Sequence, residues 1–155
     1  MPTPEERLKA LGIVLPQPPR PVAAYVPAKR SGNLLFTAGQ IPMVDGKLLA
    51  QGRVPDQVDV ETAIRCARQC VLNGLAVARA AVGSLDHITQ VVRVGVFVAS
   101  APGFHEQPRV ANGASELLVE IFGEAGQHAR SAVGSNDLPL GAPVEAEFIL
   151  EIRAS

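Results

Sequence analysis

Apolar residues occupy every second position of residues 144–152, and glutamates fill three of the four positions between them. This period of two predicts a strand that buries one face and turns three glutamates to the other. Residues 128–134 form a second predicted strand, and the prolines and glycine of 138–143 predict a turn between the two. The simplest arrangement is an antiparallel pair, which can bring Arg130 close to one of the glutamates.

Helical periodicity covers two longer stretches of the chain. Within residues 59–82, apolar and small residues recur at spacings of three and four, and Gly83 is the predicted stop. A second helix is predicted over 108–122, because proline suits a first helical turn and Gly123 follows the last apolar position. Both helices have one apolar side for packing on a sheet.

The first 21 residues are predicted to form an extension to the folded domain. The opening Thr-Pro-Glu-Glu has the spacing of a capped helix start, so residues 3–11 are predicted to be a short helix. The proline-rich stretch 16–21 cannot continue that helix and predicts an extended connector. We therefore expect an N-terminal helix and proline-rich extension over 1–21 and a single domain over 22–155.

Three short strands are predicted ahead of the long helix, at 22–27, 33–38 and 47–50, with turns at 30–33 and 44–47. Gly39 ends the second strand, and its missing Cβ allows a backbone or a ligand to come close. The order of elements, βββαβαββ, favours an α+β fold with a mixed sheet and both helices on one sheet face.

The longest predicted strand, residues 87–99, is mainly apolar on both faces. The predicted helices can cover only one face of the sheet. The other face is therefore expected to be buried by another copy of the chain, which predicts a homo-oligomer.

Composition narrows the class of protein. A chain of 155 residues with 47% hydrophobic and 19% charged residues is one globular domain. A net charge of −1, one Tyr and no Trp argue against a nucleic-acid surface. No apolar run matches a signal peptide or a membrane span, so a cytoplasmic protein is expected. Cys66 and Cys70, four apart on one predicted helix, are expected to be core residues rather than a disulfide or metal pair.

Common catalytic signatures are absent from the sequence. It contains no phosphate-binding loop, dinucleotide glycine pattern, His-Glu-x-x-His motif or nucleophile elbow. The three histidines, His87, His105 and His128, have no ligand spacing, so no metal site is predicted. A Ser–His pair cannot be identified from spacing, because such residues meet only in the fold.

Arg130 is the one positive candidate for chemistry. It lies in the middle of a predicted strand, where a permanent charge is costly unless it meets an anion. Two interpretations stay open: a strand arginine paired with Glu145 or Glu147, or a ligand-binding arginine. For Glu145 the pattern alone favours a solvated glutamate on a strand face.

These residues resemble a known family. Ala-Arg-Ser at 129–131, followed by a Leu-Pro turn and Val-Glu-Ala-Glu at 144–147, resembles the C-terminal signature of the YjgF/YER057c/UK114 family, also called the RidA or Rid family. Gly-Asn-Leu-Leu-Phe-Thr-Ala-Gly-Gln-Ile-Pro at 32–42 is similar to its first signature. Asn112 and Glu116 match its second-helix motif. The N-terminal segment looks like that of a longer bacterial subgroup described as endoribonuclease L-PSP-like.

The resemblance, which covers about residues 22–152, implies a chorismate-mutase-like fold. It also implies a homotrimer whose sheets form a central barrel, with three clefts between subunits. The implied activity is hydrolysis of reactive enamines and imines, such as 2-aminoacrylate, to 2-keto acids and ammonia. No cofactor is implied, because an imine carbon is already electrophilic.

The resemblance also assigns roles by position. Arg130 would hold the substrate carboxylate in a two-pronged salt bridge, Glu145 would position or activate the attacking water, and Tyr25 would close the cleft from a neighbouring subunit. The rest of the pocket would come from three positions: Gly39, Asn112 and Ala132.

This sequence departs from the family pattern at three positions. Ala38 stands where deaminase-active members usually carry Ser, Ala132 where they usually carry Cys, and His128 where Pro is usual. The resemblance leaves three function classes open: a deaminase, a non-catalytic binder of small carboxylic acids anchored by Arg130, and a ribonuclease, which the older family name suggests. The near-neutral charge and the scarcity of aromatic residues count against the last.

Overall fold

The computed structural model describes residues 1–18, 20 and 24–154. Its helices are α1 (Pro4–Ala10), α2 (Val60–Val82) and α3 (Gln107–Phe122). Its strands are β1 (Ala28–Ser31), β2 (Leu34–Thr37), β3 (Met43–Val44), β4 (Lys47–Leu48), β5 (Ile88–Ala99), β6 (Ala129–Ser135) and β7 (Val144–Ile152). Within the described ranges, no helix has the length and apolar character needed to cross a membrane.

The fold is a mixed α+β arrangement. Five strands form one sheet in the order β1-β2-β7-β5-β6, while β3 and β4 form a separate hairpin. All neighbouring pairs in the large sheet are antiparallel except β5 and β6, which are parallel. Helix α3 is the crossover that parallel neighbours require. Strands β1 and β6 are the two edges of the sheet in this chain.

The predicted antiparallel pairing of the last two strands is wrong. β6 lies beside β5, with Arg130 opposite Val94, and β7 lies on the other side of β5. The short 3-10 turn at Pro139–Gly141 therefore carries the chain across β5 instead of closing a hairpin. Arg130 forms no ion pair within 4.0 Å in the described part of the chain, so its predicted proximity to a glutamate is also wrong.

The start of the sheet also differs from the prediction. Residues 24–27 are not a strand, residues 22 and 23 lie outside the described residues, and the first strand is β1. Only Gly32 and Asn33 form the following turn, where Gly32 has a φ of 59° that suits a residue without Cβ. The predicted strand at 47–50 is the second half of the small hairpin. The described order is therefore α1 followed by ββββαβαββ.

The two long helices form as predicted, and both pack on one face of the sheet. Asp59 caps α2 by accepting a hydrogen bond from the Thr62 N–H at 2.7 Å. Alternate residues of β7 face these helices and are buried: Val144, Ala146, Phe148, Leu150 and Ile152. Gly74 of α2 lies against the ring of Phe148, and Gly113 of α3 lies against the backbone of Ile64, so the helices pack closely on the sheet and on each other.

Cys66 and Cys70 are fully buried, free thiols in α2, which confirms their prediction as core residues. Burial raises the pKa of Cys66 to about 11. Burial also raises the pKa of Cys70 well above its usual value. Both thiols therefore stay protonated at neutral pH, and neither has the thiolate character of a nucleophile.

The face of the sheet away from the helices is called the open face. Register shifts in β5 after Ile88 and after Val91 disturb the predicted alternation, so Ile88, Val91 and Val94 are all buried on the helix side. The open face carries Phe36, Arg93, Gly95, Phe97, Ser131, Val133, Glu145, Glu147 and Ile149. Phe36 is 39% exposed there and Val133 is 47% exposed.

Helix α1 forms with the predicted capping box and docks on its own chain. Leu8 is 2% exposed within the core, and the Glu5 carboxylate accepts two hydrogen bonds from Arg79 and one from the Leu85 N–H. Burial alone would raise the pKa of Glu5, but these hydrogen bonds and the Arg79 charge together lower it. The division at residue 21 remains a prediction.

Candidate functional site

Arg130 is held by helix α3. Its Nη1 atom donates to Oδ1 of Asn112 at 2.9 Å and to Oγ of Ser115 at 3.1 Å. Asn112 and Ser115 are three residues apart and share one side of the helix. Because α3 lies on the buried side of the sheet, Arg130 points to that side, together with Ala132 two residues later.

One edge of the Arg130 guanidinium has no protein partner among the described residues. Both Nη1 hydrogens are used by Asn112 and Ser115, whereas Nε and Nη2 make no hydrogen bond in the described part of the chain. These two groups form the planar fork that matches a carboxylate in a bidentate pair. The Asn112 oxygen faces the arginine, so its amide nitrogen is a further donor for a ligand.

A serine–histidine pair lies directly behind Arg130. The Oγ atom of Ser115 is 2.9 Å from Nε2 of His128, and Nδ1 of His128 is 2.6 Å from the carbonyl oxygen of Gly126. Sequence reasoning did not find this pair, although it noted the unusual His128. The three-residue spacing of Asn112 and Ser115 on one predicted helix was the available signal.

Glu145 belongs to a second cluster around Gly39. A methyl group on Gly39 would lie 2.6 Å from Oε2 of Glu145, so only a residue without Cβ leaves the carboxylate in this position. Backbone hydrogen bonds between Gln40 and Ala146, at 2.8 and 2.9 Å, place Gly39 beside this strand. Asn73, which is buried in α2, donates to the carbonyl of Ile41 at 3.0 Å and fixes the loop that follows.

The Glu145 carboxyl has a raised pKa. Burial is the larger cause, since the side chain is only half exposed, and the nearby Glu147 carboxylate adds repulsion. A carboxyl group whose pKa moves toward neutrality exchanges protons more readily at neutral pH than a solvated one. Glu145 therefore differs from the solvated strand glutamate that the alternation alone favoured.

Tyr25 precedes Gly39 of the second cluster in the sequence, and it is 56% exposed. The Ala38 N–H donates to the carbonyl of Pro27 at 2.8 Å, which ties the segment containing Tyr25 to the residue before Gly39. No described hydrogen bond involves the Tyr25 hydroxyl. Its ring is available for contact with another surface.

The predicted site residues thus form two clusters in a single chain. Arg130, Asn112 and Ala132 lie on the helix side of β6, whereas Glu145 and Gly39 lie on the open side of β7. The described cavities, which range from about 280 to 550 Å³, are lined by neither Arg130 nor Glu145. One chain alone does not bring these two side chains into a common pocket.

No metal centre is found within residues 1–18, 20 and 24–154, where no three His, Cys, Asp or Glu side chains come together. The donors that face a ligand there are a guanidinium and an amide, which suit an organic anion.

Comparison with known proteins shows the family to which this chain belongs. Residues 5–148 match the sequence model described as "YjgF/chorismate_mutase-like, putative endoribonuclease". The chain belongs to the YjgF/chorismate-mutase-like family. The family resemblance recognised in the sequence is thereby confirmed, and the mixed α+β fold agrees with it.

Individual relatives span nearly the whole chain. Protein TCP17 of Trypanosoma cruzi is 42% identical over 147 residues, covering 94% of this chain and 92% of its own. The crystal structure of Agrobacterium tumefaciens Atu1372, a protein of unknown function, superposes with a TM-score of 0.89 at 48% identity, covering 96% and 92%. A 2-iminobutanoate/2-iminopropanoate deaminase of Dermatophagoides farinae is 30% identical, covering 91% and 95%.

Proposed function

We propose that this YjgF-family chain is an enamine and imine deaminase that hydrolyses 2-aminoacrylate-type intermediates to 2-keto acids and ammonia. The observation that carries the proposal is the Nε–Nη2 fork of Arg130, which has no partner in the described part of the chain while Asn112 fixes the other side of the guanidinium. The named activity of the Dermatophagoides relative supports the same reaction class.

The proposed chemistry needs few groups. Arg130 anchors the substrate carboxylate, and 2-aminoacrylate first gains a proton on carbon to become the iminium ion. A water molecule positioned by Glu145 then attacks the imine carbon, and Glu145 takes one proton from it. The nitrogen of the resulting carbinolamine regains that proton from Glu145 and leaves as ammonia, while the hydroxyl group loses its proton to water as the C=O bond of the 2-keto acid forms.

The proposed active unit is a homotrimer with its pockets between subunits. Arg130 and Glu145 face opposite sides of one sheet, so a pocket containing both needs the Arg130 cluster of one copy and the Glu145 cluster of another. The apolar residues exposed on the open face support burial by further copies. Tyr25, which is exposed, would then close the pocket from the neighbouring subunit.

The experiment is a coupled assay in which a second enzyme generates 2-aminoacrylate. We expect the wild-type protein to increase keto-acid formation above the spontaneous rate. Arg130→Ala should lose about a hundredfold or more in kcat/KM, since a charge-assisted bidentate contact is removed. Arg68→Ala is the matched control, because Arg68 is a surface arginine with only a 3.9 Å ion pair to Glu120. A wild-type rate equal to the spontaneous rate would refute deaminase activity.

A non-catalytic carboxylate binder is the second candidate. Ala38 and Ala132 supply no polar side chains to the proposed pocket, while the Arg130 fork is sufficient for binding alone. This alternative predicts that 2-ketobutyrate raises the melting temperature of the wild type and of Arg68→Ala but not of Arg130→Ala. It also predicts no turnover in the coupled assay.

A further inference from the structure

The Ser115–His128 pair has a defined direction of hydrogen bonding. Arg130 can only donate, so the Ser115 oxygen accepts from it, and the Gly126 carbonyl can only accept, so the proton of His128 is on Nδ1. In the neutral ring Nε2 is then an acceptor for the Ser115 hydroxyl. The tautomer of His128 is thus assigned from its hydrogen-bond partners. The hydrogen bonds all run in one direction, from Arg130 to Ser115, from Ser115 to His128 and from His128 to the Gly126 carbonyl.

This direction matters because the hydroxyl of a serine inside a helix can also donate to a backbone carbonyl of its own helix. Its hydroxyl ordinarily turns back to the carbonyl four residues earlier, which here is that of Ala111. His128 offers a competing acceptor at 2.9 Å and thus keeps the Ser115 oxygen facing Arg130.

We infer that Ser115 and His128 are positioning residues for Arg130. The Ser115 oxygen accepts one Nη1 hydrogen of Arg130, and Oδ1 of Asn112 accepts the other. These two hydrogen bonds orient the Nε–Nη2 fork before a ligand binds. The inference rests on the proposed role of Arg130 as a carboxylate anchor. A free arginine side chain has many rotamers, so holding it in advance reduces the entropy lost on binding and strengthens ligand binding.

Two matched pairs of substitutions separate hydrogen bonding from shape. Ser115→Thr keeps the hydroxyl group, whereas Ser115→Val has the shape of threonine without a hydroxyl group. His128→Gln keeps an acceptor, whereas His128→Met does not. His105→Gln is the control for loss of an imidazole, because His105 is exposed in the loop before α3.

We expect Ser115→Val and His128→Met to raise KM, and the Kd for 2-ketobutyrate, about tenfold, as for one hydrogen bond to a charged group. Since the anchor acts in the ground state and in the transition state alike, kcat should stay within about twofold. Ser115→Thr, His128→Gln and His105→Gln should keep wild-type values. Equal KM and Kd for both members of each pair would overturn the inference.

A readout that does not depend on activity is NMR of the arginine guanidinium groups. Held Nη1 hydrogens should give separate, slowly averaging signals for Arg130 in the wild type, identified by their loss in Arg130→Ala. Those signals should collapse in Ser115→Val and His128→Met and persist in Ser115→Thr and His128→Gln. Unchanged signals in all four variants would refute positioning.

The two arms separate the inference from the proposed function. A wild type that neither turns over 2-aminoacrylate nor binds 2-ketobutyrate would remove the proposed function, and the NMR arm would still decide whether the pair holds Arg130. A wild type with full activity, and Ser115→Val and His128→Met variants equal to it in KM and NMR, would remove only the positioning role.

Discussion

At the scale of single residues, Glu145 is placed against local electrostatic preference. It is half buried, lies beside Glu147 and occupies space that a side chain on residue 39 would fill. A carboxylate in such surroundings destabilises the fold when ionised, and groups of this kind are concentrated at functional sites. Its position is easier to explain by chemistry than by stability.

Glu145→Gln should therefore raise the melting temperature by a few degrees at neutral pH. The pKa of Glu145 is raised in the folded state. The favourable contribution of its carboxyl group to the free energy of unfolding is therefore complete below the usual glutamate pKa and is lost as pH rises through the raised value. The gain should shrink as the pH falls toward 4. Thermal melts from acid to neutral pH measure it, with the exposed Glu124→Gln as control. A melting point lowered at neutral pH would contradict the assignment of repulsion and burial.

Arg130 was predictable from the sequence, but the residues that hydrogen-bond behind it were not. A charged residue within an apolar strand stands out in a linear pattern, whereas Ser115 and His128 look ordinary and lie 13 residues apart. They meet because α3 crosses back to place β6 beside β5, which is a property of the tertiary fold. Glu145 could be located by the family signature, but its raised pKa depends on burial that alternation alone does not reveal.

At the scale of elements, the helices were predictable and the strand pairing was not. Caps and periodicity are local, so α2 and α3 end within a residue or so of the predicted limits. Pairing of β6 with β5 depends on contacts across the fold, and the short turn before β7 wrongly suggested a hairpin. The β5 register shifts likewise have no local signature in its apolar sequence.

Gly113→Ala should destabilise the fold where α3 crosses α2. Alanine gains about 1 kcal/mol in helix propensity, but its methyl group would collide with the carbonyl oxygen of Ile64, and overpacking against backbone costs about 1–3 kcal/mol. The urea midpoint should fall. Val119→Ala, on the exposed side of the same helix, is the control and should change it little. An increased midpoint for Gly113→Ala would mean that the helices separate without cost.

At the scale of the whole molecule, one sheet face is unlike the other. The helix side is closed by a continuous core, whereas the open face leaves Phe36 and Val133 partly exposed beside Arg93 and Glu147. The two halves of the proposed pocket face opposite sides of the same sheet. Both features are explained by one proposed assembly of identical chains.

Val133→Glu should break that assembly and leave the subunit folded. A charge on the open face of an edge strand adds no clash within the chain but opposes burial against a second copy. Native mass spectrometry should give three times 16.3 kDa for the wild type and one subunit for the variant. Val14→Glu is the matched control, since Val14 is 90% exposed elsewhere. A wild-type protein that is monomeric at micromolar concentration would refute the proposed trimer.

The edge position of β6 has a thermodynamic consequence. Arg130 lies on β6, which has one neighbour among the described strands of its sheet, so a partner that docks along this edge also approaches the proposed carboxylate anchor. If a metabolite bridges Arg130 of one subunit and Glu145 of the next, metabolite binding strengthens subunit association, and subunit association strengthens metabolite binding by the same factor. Catalytic output per subunit would then fall on dilution and recover when the anion is plentiful.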